Sequence, residues 1–176
     1  MFIDNATVTP ARLRERPTAR SVTPRMDLAI PLHRLEGMVA QGFFSIDSLA
    51  GVHALIVDAD QSCRDLLSAI LRYCGALVTT TASGSEALNV MSIAKCDAVV
   101  VDLALGEETG LELIRRIRGL KPEQGGVVRA IAISERAGDR DDALAAGFDA
   151  HLIKPIEPWA LCRLVSTLVL GDHDAR

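Results

Sequence analysis

The chain has little of what usually marks a special chemistry. Its four cysteines, Cys63, Cys74, Cys96 and Cys162, form no CxxC pair and no metal-ligand spacing, which argues against a zinc site and a disulfide framework. They fall mostly inside helical patterns, where a reduced cysteine behaves as a small apolar residue, so a reducing cytoplasm is the expected compartment. No apolar run approaches the roughly 18 residues that span a bilayer, and the N-terminus lacks a charged-then-apolar secretion pattern. Positive charge is not in excess. With 19 Lys and Arg against 23 Asp and Glu and a net charge of −4, a general nucleic-acid binder is disfavoured, because phosphate contacts need a basic patch. No GxGxxG follows the first apolar run, which removes the dinucleotide-binding fingerprint. No internal repeat or low-complexity stretch appears beyond residue 51.

What is present is apolar material in an ordered arrangement. A chain of 176 residues, 49% hydrophobic, can build one sizeable core plus an appendage. Residues 1–27 carry Pro10, Pro17 and Pro24 with Arg12, Arg14, Arg16, Arg20 and Arg25, and read as a flexible, mildly basic tail. Residues 28–50 bring back apolar spacing through Leu32, Leu35, Met38, Val39, Phe43, Phe44 and Ile46, which suits a short helical extension packed on the domain. Residues 51–170 form the main domain, and 171–176 a polar tail.

Within that domain strand and helix patterns alternate five times. Strands are predicted near 53–58, 76–81, 97–101, 127–133 and 150–153, and helices near 61–73, 84–94, 110–119, 137–146 and 157–170. Asp60 or Ser62 suits the cap of the first helix, Ser83 with Glu86 a capping box, and Gly147 the end of the fourth helix. Continuous Val, Ile and Leu runs are the mark of parallel strands covered on both faces. The alternation predicts an α/β, doubly wound, five-stranded parallel sheet of order 2-1-3-4-5, with its switch point between the first and third strands.

Four of the apolar runs end at residues of one chemical set: Asp58, Asp102, Ser134 and Lys154. In open α/β sheets the ligand crevice lies outside the carboxyl ends of the strands, so these side chains should meet there. Two acids, a hydroxyl and an amine suit a phosphoryl group and a divalent cation, the carboxylates taking the metal and the lysine and hydroxyl the phosphate oxygens.

These residues, with their neighbours, resemble the receiver domain of two-component response regulators. The resemblance runs from about Val52 to Leu170 through Leu55-Ile-Val-Asp-Ala-Asp60, Ala82-Ser-Gly-Ser-Glu-Ala-Leu88, Asp97-Ala-Val-Val-Val-Asp-Leu103, Thr109-Gly-Leu-Glu-Leu-Ile-Arg-Arg-Ile-Arg118, Ala145-Ala-Gly-Phe-Asp-Ala150 and Lys154-Pro155. It implies the flavodoxin-like receiver fold and a stand-alone signalling domain rather than an enzyme. Asp102 would take phosphate from a histidine kinase or a histidine phosphotransfer protein. The resemblance also implies Mg²⁺ held by Asp58, Asp102 and the Ala104 carbonyl, with Asp60 a further candidate. Ser134 and His151 take the places of the switch residues, and Lys154 that of the phosphate-contacting lysine, followed by a cis proline. Output would pass by contact to a downstream protein or a second copy, through a face including Trp159.

Four positions depart from the family pattern, one of them His151, which stands where Tyr or Phe is usual. Ala59 stands where a second acid is usual, Gly106 where proline is common, and Glu135 beside Ser134 where a small residue leaves the phosphate path open. Weakened Mg²⁺ binding, or signalling without phosphate, is the expected consequence. A haloacid dehalogenase-like phosphatase, with Asp58 as nucleophile and Asp60 as acid/base, is the rival from another class. It leaves Asp102 and the Thr109-Gly110 signature unexplained.

Overall fold

Each of the five apolar runs becomes a strand in the computed structural model, which describes residues 48–171. The strands are β1 (His53–Val57), β2 (Leu77–Thr81), β3 (Ala98–Asp102), β4 (Arg129–Ser134) and β5 (Ala150–Ile153). They pair in parallel in the order β2-β1-β3-β4-β5, as the alternating pattern predicts. Between and after them run α1 (Gln61–Tyr73), α2 (Gly84–Ile93), α3 (Gly110–Arg118), α4 (Arg140–Ala146) and α5 (Pro158–Val169).

The strands are apolar throughout because both faces of the sheet are covered. Successive side chains point to opposite faces, so Ala54 and Ile56 enter one cluster and Leu55 and Val57 the other. The first cluster joins Ile56, Val100, Ile131 and Ile133 to Leu67 and Leu71 of α1 and to Leu161 and Val165 of α5. Trp159 packs on its margin, half-buried. The second joins Val99, Val101, Ala130 and Ala132 to Met91, Leu113, Ile114, Ile117 and Ala143.

Local chemistry starts the helices where the strands release the chain. Asp60 caps α1 by accepting from the Ser62 and Cys63 N–H groups at 2.7 and 3.1 Å. Ser83 accepts from Glu86 N–H at 3.3 Å, and Thr109 and Glu112 form a reciprocal capping box at α3. Such side chains satisfy donors that the first turn leaves orphaned.

Two boundaries differ from the sequence pattern by more than one residue. β4 begins at Arg129 rather than at 127, because Pro122–Gln124 form a 3₁₀ turn and Gly125 follows at φ +98, leaving Val127 69% exposed. A 3₁₀ turn over Ala137–Asp139 precedes α4, so the regular helix starts at Arg140. Of the predicted 28–50 extension, only residues 48–50 are described; they belong to a turn in which Leu49 is fully buried and its N–H bonds the Cys74 carbonyl at 2.8 Å. The rest of that extension, the 1–27 tail and residues 172–176 lie outside the described residues. Among the described residues no helix is long and apolar enough to cross a membrane.

Candidate functional site

The strand order sets β1 beside β3, with Val57 level with Val101, so the residues that end those strands share one crevice. Asp58 is 1% exposed and Asp102 6%. β5 lies beyond β4, and from its carboxyl end Lys154 reaches across to both acids. Its Nζ donates to Asp102 Oδ2 at 2.8 Å and stands 3.5 Å from Asp58 Oδ2. The Lys154–Pro155 peptide is cis. Three of the four strand-end residues therefore meet.

The environment of each carboxylate follows from its neighbours. Asp58 Oδ1 accepts from the Asp60 N–H at 2.8 Å, while its Oδ2 is buried without a hydrogen-bond partner. Asp102 Oδ1 accepts from the Ala104 N–H at 3.3 Å. Burial, chiefly, and the nearby Asp102 charge hold the Asp58 carboxyl above its ordinary value of 3.8, against the pull of the Asp60 N–H and of Lys154. For Lys154, burial works to lower the pKa, but the hydrogen bond and charge of Asp102, helped by Asp58, outweigh it and hold the amine above 10.5. The lysine stays cationic between two acids.

A raised carboxyl pKa makes the stability of the fold depend on pH. Folded Asp58 binds its proton at higher pH than the unfolded chain does, so its ionisation opposes folding at neutral pH, and that cost is relieved as pH falls through its folded value towards 3.8. Asp58→Asn, measured by urea unfolding in a chelator, is therefore expected to be more stable than wild type at neutral pH, with the advantage shrinking in acid. An advantage that grew in acid would contradict the burial argument.

Ser134, the fourth strand-end residue, makes different contacts. Its Oγ bonds His151 Nε2 at 2.9 Å and the Arg136 carbonyl at 3.1 Å. His151 is turned inward, 8% exposed. Asp60 is committed by its Oδ1 to capping α1, and those two N–H bonds hold its carboxyl below the ordinary value. Glu108 pairs with Arg116 at 3.0 Å and lies over Gly84, where an added Cβ would meet its Oε1 at 2.0 Å. Glu107 and Glu135 are exposed.

Arg64 is the residue that sequence reasoning missed. Its Nη1 donates to the Asp58 carbonyl at 2.6 Å and to the Ala59 carbonyl at 2.9 Å, and its Nη2 bonds Gln61 Oε1. The guanidinium thus ties down the stretch carrying Ala59. A signal was available: a cation near a helix N-terminus opposes the dipole and needs a compensating acceptor.

Hard oxygen donors fit a divalent cation here. The buried Asp58 Oδ2, which accepts no hydrogen bond, and the adjacent Asp102 carboxylate are two such donors. Among the described residues no group of three or more His, Cys, Asp or Glu side chains is arranged for a metal. A bound Mg²⁺ would thus take carbonyl, water and phosphate oxygens for its remaining positions, as Mg²⁺ commonly does.

Comparison with known proteins bears on the whole arrangement. A family model described as the response regulator receiver domain matches residues 54–166. An uncharacterised 14.6 kDa protein from the sodA1 3′ region of Leptolyngbya boryana is 39% identical over 128 residues, covering 72% of this chain and 96% of its own. Response regulator SaeR of Staphylococcus aureus is 29% identical over 119 residues, which are 66% of this chain and 50% of SaeR, so the chain spans about half of that relative. Among solved structures, the receiver domain of sensor histidine kinase PA1611 from Pseudomonas aeruginosa PAO1 holds a magnesium ion in its active-site cleft. It is 30% identical with a TM-score of 0.62, covering 69% of this chain and 99% of that one.

Proposed function

The chain belongs to the response regulator receiver domain family, and on that premise we propose that Asp102 accepts a phosphoryl group from a histidine kinase or a histidine phosphotransfer protein in the cytoplasm. The observation that carries this reading is the Lys154 ammonium set against both Asp102 and Asp58. A carboxylate attacking phosphorus approaches a dianion, so cationic charge fixed beside it is what allows the oxygens to close. When bound, Mg²⁺ supplies the rest of that charge, held by Asp58, Asp102 and the Ala104 carbonyl.

The residues divide the remaining work. An Asp102 oxygen forms the new bond to phosphorus as the donor's bond to it breaks. Lys154 moves its hydrogen bond from the carboxylate to a phosphoryl oxygen. Ser134 exchanges the Arg136 carbonyl for the phosphoryl group, which draws in the loop after β4, and His151 holds the hydroxyl's other side. Changed contacts around β4, β5 and α5 then carry the signal to a downstream protein. The phosphatase alternative loses support because the Asp60 carboxylate caps α1, away from an acid/base role.

The test is acetyl phosphate with Mg²⁺, read by intact mass. One phosphoryl group per chain, not added when Mg²⁺ is chelated beforehand, is the expected result; a chain that stays unmodified favours signalling without phosphate. Because Ala59 removes one acid from the usual pair, Ala59→Asp is expected to tighten Mg²⁺ binding about tenfold or more in calorimetry, on the order of one added charge-assisted contact. Unchanged affinity would show that another group already supplies that ligand.

A further inference from the structure

At the pole opposite Asp102, where the strands begin, a groove of about 510 Å³ lies between the end of α2 and the turn before β4. Its floor is apolar and buried: Met91, Cys96 and Val128 belong to the second cluster. Gly125, at φ +98, closes over Met91, and a Cβ there would meet the Met91 Cε at 2.7 Å. The rim is apolar too, but uncovered. Ile93, the last residue of α2, is 86% exposed and Val127 69%. Single apolar residues scattered over a surface need no account, but two on the rim of one apolar-floored groove mark a place where something packs.

The chain carries a matching stretch of its own. Residues 28–47 set Leu32, Leu35, Met38, Val39, Phe43, Phe44 and Ile46 against three charged residues, Arg34, Glu36 and Asp47. The point at which that stretch joins the domain is fixed beside the groove. Leu49 is buried, and His53, which follows the turn, is tied to the groove's lining by three bonds. Its N–H donates to Asp97 Oδ2 at 2.9 Å, its carbonyl accepts from the Asp97 N–H at 2.8 Å, and its Nδ1 donates to the Lys95 carbonyl at 2.8 Å. Lys95 and Asp97 both line the groove. From Ser48 to His53 the chain spans at most about 18 Å, and as many residues again lead back to Phe43. A tether this short holds the stretch at an effective concentration on the order of millimolar, an advantage that a free partner or a second copy lacks.

We propose that residues 28–47 pass under the amino end of β1 and seat Phe43 and Phe44 in this groove, against Ile93 and Val127. Each ring covers apolar surface that water otherwise wets, and a tethered segment needs little more than that to stay in place. The docked stretch joins the N-terminal part of the chain to the second cluster, although Leu49 enters the first. It lies at the far end of the strands from Asp58, Asp102 and Lys154, so the phosphoryl crevice stays open and the docking is independent of phosphoryl transfer. While seated, it closes this end of the domain to other proteins.

The test uses the full chain with the photoprobe substitution Val127→p-benzoylphenylalanine, irradiated and mapped by peptide mass. Val127 is exposed, so the probe leaves the core as it is. A link to the peptide carrying Phe43 and Phe44 is expected, in a product of monomer mass whose yield does not depend on protein concentration. Adding Phe43→Asp and Phe44→Asp is expected to lower that yield at least about tenfold, through the loss of two buried rings. The same probe at Ile153, 46% exposed at the end of β5, is expected to give no link to residues 28–47. Links found only in a product of twice the mass would assign the groove to a second copy and overturn the proposal. So would the absence of any link to residues 28–47, a yield that the two aspartates leave unchanged, or equal linking from position 153.

Discussion

Asp102→Asn is expected to abolish phosphoryl uptake from acetyl phosphate while leaving the fold in place. Asparagine matches the side chain in size and keeps an oxygen to accept from the Ala104 N–H, now at 3.3 Å. It lacks the anionic nucleophile, and an amide oxygen does not replace a carboxylate in attack on phosphorus. Two electrostatic changes oppose each other in stability: the ion pair with Lys154 at 2.8 Å is lost, and so is the repulsion between Asp102 and Asp58. A stability change within about 1 kcal/mol, beside a loss of modification of at least about 10³-fold, is the expected pair of results. It would be read by urea unfolding and intact mass on the same samples. Modification at the wild-type rate would remove Asp102 from its proposed role.

Gly110→Ala is expected to destabilise the chain strongly. A Cβ at 110 would come within 2.6 Å of the Asp102 carbonyl oxygen and 2.9 Å of the Leu103 Cα. Both are backbone atoms, so relief requires moving either the start of α3 or the end of β3. The Gly110 N–H also bonds the Leu103 carbonyl at 3.0 Å, and Ala104 bridges to Thr109, so the strand end and the helix start are pinned together. Overpacking against such a fixed neighbour costs about 2–3 kcal/mol. The expected observation is a lower urea midpoint at unchanged slope, together with slower phosphoryl uptake from the displaced Asp102. A variant as stable as wild type would mean that this junction is looser than its contacts indicate.

The sheet and three members of the site were legible because they depend on period and order. Continuous apolar runs with intervening helical spacing dictate a parallel sheet, and its switch point brings Asp58 and Asp102 together. Lys154 was legible for the same reason, at the end of another strand. What the sequence did not show are contacts made by long side chains reaching across turns. Arg64 returns to the Asp58 and Ala59 carbonyls. Arg118 donates to the Gly147, Gly126 and Val128 carbonyls and pairs with Asp149, which in turn accepts from the Ala130 N–H. A flexible arginine has many reachable acceptors, and only the folded backbone selects among them. The Ser134–His151 bond was hidden for a related reason: an inward histidine and an outward one have the same sequence pattern, and burial decides between them. Ala59 was visible as a missing acid, but its consequence became specific only with Asp58 Oδ2 left buried and without a hydrogen bond.

The central claim is that the phosphoryl group bonds to the carboxylate at the end of β3. Treatment of the phosphorylated wild-type chain with borohydride, which reduces an aspartyl phosphate to homoserine, followed by peptide sequencing, tests it most directly. The account predicts homoserine at position 102 and aspartate unchanged at position 58. Homoserine at position 58, or a phosphate that resists reduction and maps to Ser134, would contradict it.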